Sequence, residues 1–514
     1  MERPAQWNFA ARLVERLGQG SELVDAPSGE RFAAAELRTA ITDFAASFAS
    51  VGLRQGDRVL IGCNLRPLCS LAYLGAMFGG LVAVPVDEAA LAGSGETLAR
   101  KTRARAVWSD RGVRSDWPAR CGLSELEGGP RRAGADAPAP ADCSEDDLAS
   151  LMATSGSTAA PRLVKVSHGN LIANTEAIIR SQRLRSDERA LLILPVSYCF
   201  GASVLHTHLY QGGAVVFDSR FMFPDKVLRA IAQYGCTSFA GVPTAYQILL
   251  RRSNLHTIPL PSMRRFLQAG GALSPAAIEQ MRAIVPHAEF FVMYGQTEAT
   301  ARISCLPPER LADKAGSVGV PLDNLTVRIV GADGEDVPAG ESGELWVGGK
   351  SISAGYLHEP EETRRRFRGG WLATGDIASR DEEGFIWITG REGEFIKMRG
   401  IRVGFAEIEA TVAQVRGVLE CAALVVPHAE AGEALALYVV AATEADDVVA
   451  AVRRELPAKW LCDSITLVAE LPRNARGKLI RSRLPPPTRP SHTVDDTRAP
   501  ASENPRPADE ILRT

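Results

Sequence analysis

The feature that most restricts the fold of this chain is a repeated exchange between apolar strand-like runs and stretches of helical period. Ala33 to Phe48 places apolar residues at helical spacing, and Arg58-Val-Leu-Ile-Gly62 reads as a buried strand. Leu71 to Phe78 is again helix-like, and Leu81-Val-Ala-Val-Pro-Val86 is again a strand. The rhythm continues through the strand candidates Ala190 to Leu194, Gly213 to Phe217 and Ser238 to Val242, with Lys226 to Tyr234 as a helix between the last two. Strands that alternate with helices join most simply as parallel neighbours, so the expectation is an α/β fold. At 514 residues the chain is too long for one simple core and should divide into domains.

From Val327 to Val347 short strands are separated by Asp333-Gly334 and Ala339-Gly340, which suggests a β-rich subdomain. Beyond Gly390 lies a unit of about ninety residues. Its expected helices are Glu407 to Val415 and Asp446 to Leu456, and its expected strands Ala422 to Val426 and Leu435 to Ala441. Gly128 to Asp142 is a Gly/Pro/Ala connector expected at the surface. From Pro485 onward the composition is Pro-, Ser- and charge-rich, too poor in large apolar groups to order itself.

One loop carries explicit chemistry. Thr154-Ser-Gly-Ser-Thr-Ala-Ala-Pro-Arg162 lies between an apolar lead-in and an expected helix. Thr154, Ser155, Ser157 and Thr158 offer hydroxyls, Gly156 permits close backbone approach, and Arg162 brings charge, as a phosphate requires. Taken alone it could be an ordinary Ser/Thr-rich surface loop. A Walker-type loop is excluded, because no GxxxxGK[ST] occurs and Gly477-Lys478 is followed by Leu479.

Four further segments follow in order: Met293-Tyr-Gly-Gln-Thr-Glu-Ala299, Trp371-Leu-Ala-Thr-Gly-Asp-Ile377, Gly390-Arg391 through Arg402, and Leu471-Pro-Arg-Asn-Ala-Arg-Gly-Lys478. With the loop they resemble the adenylate-forming superfamily of acyl-CoA synthetases, aryl-CoA ligases, luciferases and peptide-synthetase adenylation domains. The resemblance runs from about Ala10 to Leu484. It implies a large N-terminal AMP-binding domain (1–392) of α/β subdomains plus a β-rich subdomain, a small mobile α+β lid (393–484) and a tail (485–514). It also implies a reaction. A carboxylate attacks the α-phosphate of ATP, giving an acyl-adenylate and pyrophosphate, and a thiol then takes the acyl group.

The site residues follow by position. The resemblance implies that Tyr294 stacks on adenine beside Gly295, that Thr297 bonds the α-phosphate and that Glu298 holds Mg²⁺. Asp376 should accept from the ribose hydroxyls and Arg391 should make a second ribose or phosphate contact. Gly270, Gly271 and Ala272 should flank adenine and the acyl chain. Lys478 is the implied catalytic cation of adenylation. The lid should turn about Gly393 to exchange Lys478 for the face of Lys397 and Gly400. The loop departs from the usual TSGSTGxPKG pattern at Ala159, Arg162 and Leu163, and Lys165 stands near enough to substitute in part.

Tyr198, Cys199 and Phe200 are the expected substrate pocket. Cys199 matches the position where relatives that activate amino acids carry an aspartate, so an unpaired ammonium there would be costly. Gln296, where peptide-synthetase domains commonly have proline, leans the same way. An uncharged fatty, branched or aryl acid is the expectation. The thiol is either coenzyme A or the phosphopantetheine of a carrier protein. The rivals are an amino acid adenylation enzyme and a non-catalytic binding protein of the same fold. His206 and His208 read as structural. A net charge of −3 gives no reason to expect nucleic acid, no run of eighteen apolar residues suggests a membrane segment, and nine scattered cysteines suit a reducing cytoplasm.

Overall fold

The computed structural model describes residues 7–113, 115–132, 138–154, 162–391, 395–398, 401–428, 432–441, 445–457, 460, 462–473 and 479–487. Over these residues the protein is mixed α/β, with a large N-terminal part and a smaller C-terminal one. Residues 488–514 of the tail expected to lack order and residues 133–137 of the Gly128 to Asp142 connector lie outside them.

The expected strands and helices of the N-terminal part form within a few residues of their sequence limits. Ala34–Ser50 and Pro67–Phe78 are helices, while Arg58–Cys63 and Val82–Asp87 are adjacent parallel strands. Two sheets carry this part. One orders its strands Ser124–Glu127, Ala106–Ser109, Arg58–Cys63, Val82–Asp87, Leu148–Ala153 and Leu163–Ser167. The other has nine strands, and its centre runs Glu289–Tyr294, Arg265–Gln268, Ser238–Gly241, Arg189–Leu192 and Ala214–Phe217, all parallel. Helices Phe9–Arg16, Pro67–Phe78, His168–Gln182 and Cys199–Tyr210 pack on one another and on the sheets. Pro67–Phe78 and Cys199–Tyr210 are buried almost all round, which is why their sequences lack a polar face.

One expectation about the phosphate loop needs correction. The helix does not follow it directly; the strand Leu163–Ser167 comes first and folds back antiparallel on Leu148–Ala153. Leu163-Val-Lys-Val-Ser167 is rich in β-branched residues, and that favours the extended form over the helix. The helix begins one residue later, where the Ser167 hydroxyl accepts from Asn170 N–H at 3.1 Å and the Asn170 amide oxygen accepts from Ser167 N–H at 3.1 Å.

A β-rich unit joins Leu325–Val330, Ser342–Gly349, Trp371–Arg380 and Ile386–Arg391 as antiparallel neighbours. In the C-terminal part, Gly432–Ala441 pairs with Val418–His428 and with Cys462–Leu467. Leu435, Leu437 and Val439 face the helices Phe405–Ala413 and Ala445–Glu455, whereas Ala434, Ala436, Tyr438 and Val440 face a second cluster containing Leu471. A strand covered on both faces reads as a continuous apolar run, as this one does.

Candidate active site

Neighbouring parallel strands of the large sheet end at one edge, and their following loops carry the expected site. Ligands of open α/β sheets settle at such carboxyl ends. Glu289–Tyr294 leads into Gly295 to Glu298, Arg265–Gln268 into Gly270 to Ala272, and Arg189–Leu192 into Tyr198 to Phe200. The last three residues open the helix Cys199–Tyr210.

Hydrogen bonds fix these loops against each other. Thr297 Oγ1 donates to Cys199 Sγ at 3.5 Å, joining the expected phosphate contact to the expected acyl wall. Gly270 adopts φ +88°, and a Cβ there would lie 2.9 Å from the Tyr198 hydroxyl. Its turn is held by Gln268, whose Nε2 donates to the Gly271 carbonyl at 2.7 Å. Gly295 is required more strictly, because a Cβ would sit 1.9 Å from the Ala301 carbonyl oxygen.

Tyr294 Oη donates to Asp376 Oδ2 at 2.5 Å, and Arg391 Nε lies 3.6 Å from Asp376 Oδ1. Asp376 and Arg391 are register partners on adjacent strands. Burial, then the Asp376 charge and the bond to it, push the Tyr294 phenol well above its ordinary value. Thr374 Oγ1 donates to the Leu345 carbonyl at 2.6 Å and accepts from Asp376 N–H at 3.1 Å. Gly375 N–H donates to Glu344 Oε1 at 3.0 Å, so Asp376 stands on a braced turn.

Tyr356 is a residue that sequence reasoning missed. Its hydroxyl donates to Glu298 Oε1 at 2.8 Å, and the Arg162 guanidinium lies 5.5 Å from its ring centre. Burial and the Glu298 charge raise the Tyr356 phenol, so it remains a donor. Ser353 N–H donates to the Glu298 carbonyl at 3.0 Å, and Val164 pairs with Tyr356 in an isolated antiparallel bridge. No local pattern around Tyr356 marks it; only the long-range pairing does. Arg162 itself is engaged by carboxylates, with Nε 3.0 Å from Glu359 Oε2 and a terminal nitrogen 3.3 Å from Glu362. Lys101 also reaches Glu359 at 3.0 Å.

Thr154 N–H donates to the Arg162 carbonyl at 2.9 Å, closing the base of the loop. Ser155, Gly156, Ser157, Thr158, Gly393, Gly400 and Lys478 lie outside the described residues, as does the side chain of Lys397, whose backbone belongs to the strand Phe395–Met398. His208 is held by the Val204 carbonyl at 2.9 Å and Ser238 Oγ at 3.1 Å, a buried structural role. His206 stacks on Tyr73 with ring centres 5.7 Å apart.

The structure thus brings Tyr294, Asp376 and Arg391 together beside the loop of Thr297 and Glu298, with Thr297 bonded to Cys199. The AMP-binding enzyme family model matches residues 12–357, and that of the AMP-binding enzyme C-terminal domain matches residues 407–478. The chain belongs to this family, and it is an AMP-forming acid–thiol ligase of acyl-CoA synthetase type. It is 33% identical over 466 residues to a feruloyl-CoA synthase from an Amycolatopsis species, covering 88% of this chain and 92% of the relative. It is 31% identical over 513 residues to a sulfoacetate–CoA ligase from Cupriavidus necator, covering 93% and 97%. The crystal structure of ATP-bound MatB from Rhodopseudomonas palustris superimposes with a TM-score of 0.82 at 27% identity, covering 93% of this chain and 98% of that one.

Proposed function

We propose that this protein condenses a fatty, branched or aryl acid with ATP to an acyl-adenylate and passes the acyl group to coenzyme A, in the cytoplasm where both co-substrates reside. One observation carries the reading: Tyr294, bonded to Asp376 beside Arg391, ends the strand that leads into Thr297 and Glu298, and Thr297 is bonded to Cys199 of the wall Tyr198 to Phe200. In the first step the acid's oxygen bonds to the α-phosphorus, the bond to pyrophosphate breaks, and Thr297 orients the α-phosphate. Asp376 accepts from the ribose, with Tyr294 and Arg391 holding its carboxylate in place and Tyr294 packing beside the base. Positioning and charge supply most of the rate in such a displacement.

Mg²⁺ fits the donors present. Glu298 offers a hard carboxylate oxygen braced by Tyr356, and among the described residues no group of three or more His, Cys, Asp or Glu forms a protein-only cage. One carboxylate completed by phosphate oxygens is a usual Mg²⁺ arrangement, and the bound ion would neutralise phosphate charge. The loop Thr154 to Thr158 would close on the β- and γ-phosphates. Arg162 would join it on release from Glu359 and Glu362.

Lys478 is the cation we assign to the α-phosphate during adenylation. The lid of residues 393–484 would turn about Gly393, withdraw Lys478 and present Lys397 and Gly400 for thiolation, on a 1–392 body. Coenzyme A is the favoured acceptor because the named relatives are CoA ligases; a carrier protein would offer the same phosphopantetheine thiol.

Pyrophosphate exchange across fatty, aryl and amino acids tests the reading, followed by free coenzyme A against a carrier protein. Exchange with non-amino acids and turnover with free coenzyme A are expected. Exchange with amino acids alone would overturn the Cys199 argument, and exchange with no acid would overturn the reading as a whole.

A further inference from the structure

Beside the acyl wall stands a cation that the adenylation chemistry does not use. Arg302, five residues after Thr297, is only 2% exposed. Its guanidinium lies on the face of Phe200, 4.6 Å from the ring centre. Cys199, Tyr198 and Cys305 are the groups that face it electrostatically, and burial lowers its pKa. Its buried Nε has no hydrogen-bond partner, and among the described residues no carboxylate pairs with the guanidinium.

The other deeply buried arginines differ. Arg265 pairs with Glu188 at 2.6 Å, and Arg366 donates to the Thr374 carbonyl. A buried guanidinium normally requires such a partner, since desolvation is costly and an aromatic face repays only part of it. The Arg302 backbone is nevertheless firmly held. The Asn174 side chain accepts from its N–H at 3.2 Å and donates to its carbonyl at 2.9 Å, and Asn174 is itself bonded to Ser351 Oγ at 3.1 Å.

We propose that Arg302 is a specificity residue that binds a second anionic group, carboxylate or sulfonate, on the acyl part of the substrate. The inference rests on the reading of Tyr198 to Phe200 as the acyl wall. It narrows that reading from acids in general to acids with two negative charges, where residues 198–200 alone suggested an uncharged acyl group. The reacting carboxylate is not the partner. A guanidinium clamped on it would weaken it as a nucleophile, and the pair would be lost once that oxygen bonds to phosphorus. A second anion stays ionised through both half-reactions and keeps the guanidinium paired throughout.

The test is pyrophosphate exchange by the full chain on matched acids: hexanoate, adipate and 6-sulfohexanoate, and cinnamate with its 4-carboxy and 4-sulfo derivatives. For the wild type, at least one doubly charged member should exceed its monoacid by about 10-fold or more in kcat/KM, and the carboxy and sulfo arms identify the anion. Arg302→Met should lower kcat/KM for that member by roughly 100-fold and raise it for the monoacid, reversing the preference. Arg302→Lys, which keeps the charge but loses the fork, should retain part of the discrimination. Preference of the wild type for monoacids overturns the proposal, and so does an equal loss by Arg302→Met on both members of a pair. If Arg302→Met fails to fold, the wild-type preference and the Arg302→Lys profile decide. Absence of exchange with every acid would instead strike the adenylation reading on which the proposal stands.

Discussion

At the scale of single residues the account depends on close approaches that tolerate no substitute. Gly295 is the sharpest case. Alanine there would drive a methyl into the Ala301 carbonyl, and the backbone must move. Gly295→Ala should destabilise the protein by about 3 kcal/mol or more in denaturant melts and abolish exchange, because Thr297 and Glu298 are displaced with it. The Tyr294–Asp376 pair makes a narrower claim. Asp376→Asn should raise the KM for ATP by roughly 10-fold to 100-fold, as expected for losing hydrogen bonds to a charged acceptor, and raise the KM for a synthetic adenylate, which carries the same ribose, by a similar factor. An unchanged KM would remove Asp376 from the ribose site. Residues like these were legible because their chemistry is local: a glycine turn, a hydroxyl and a carboxylate within five positions. Tyr356 and Arg302 were not. Each gains its meaning from a partner far along the chain, Glu298 in one case and Phe200 in the other, and no spacing rule links such pairs.

The secondary-structure elements were legible where hydrophobic period and length agreed, as in Ala34–Ser50, Pro224–Tyr234 and Arg58–Cys63. The strand Leu163–Ser167 escaped because five residues between a polar loop and a helix start carry too little pattern, and its pairing with Leu148–Ala153 decides the outcome. That hairpin matters, since it sets both ends of the proposed phosphate loop and brings Val164 beside Tyr356. The helix that follows depends on its reciprocal cap. Ser167→Ala should cost about 1 kcal/mol in a denaturant titration with little change in the slope of the transition. No measurable loss would mean that the Asn170 side chain, which also donates to the Lys350 and Ile352 carbonyls, holds the helix start alone.

For the whole molecule, sheet order and the packing of two sheets around shared helices could not be read from the sequence, because strand neighbours are chosen by long-range burial. One consequence is measurable. The shared helices bury His168, His206 and His208, and burial depresses their pKa values to about 4, about 3 and about 4. Unfolded histidines take up protons near pH 6.5 while these do not, so the unfolded state gains as pH falls. Stability should be full above about pH 6.5 and drop toward pH 4 by about 1.4 kcal/mol per pH unit for each histidine. Melting temperatures at pH 7.5, 6.5 and 5.5 read this above the carboxylate range, and a flat profile would contradict the buried neutral rings. The C-terminal part, in turn, meets the N-terminal part through the ion pair of Arg251 and Glu420 at 3.6 Å, with Arg473 also on Glu420 at 2.8 Å. A partly exposed pair of this kind is weak enough to break in the lid rotation we propose. The lid's purpose is the central claim: a lysine delivered to the α-phosphate for the first half-reaction and withdrawn for the second. Measuring both half-reactions of Lys478→Ala tests it most directly. Pyrophosphate exchange should fall by roughly 100-fold or more, while transfer from a synthetic acyl-adenylate to coenzyme A persists at near wild-type rate; equal loss in the two would contradict the account.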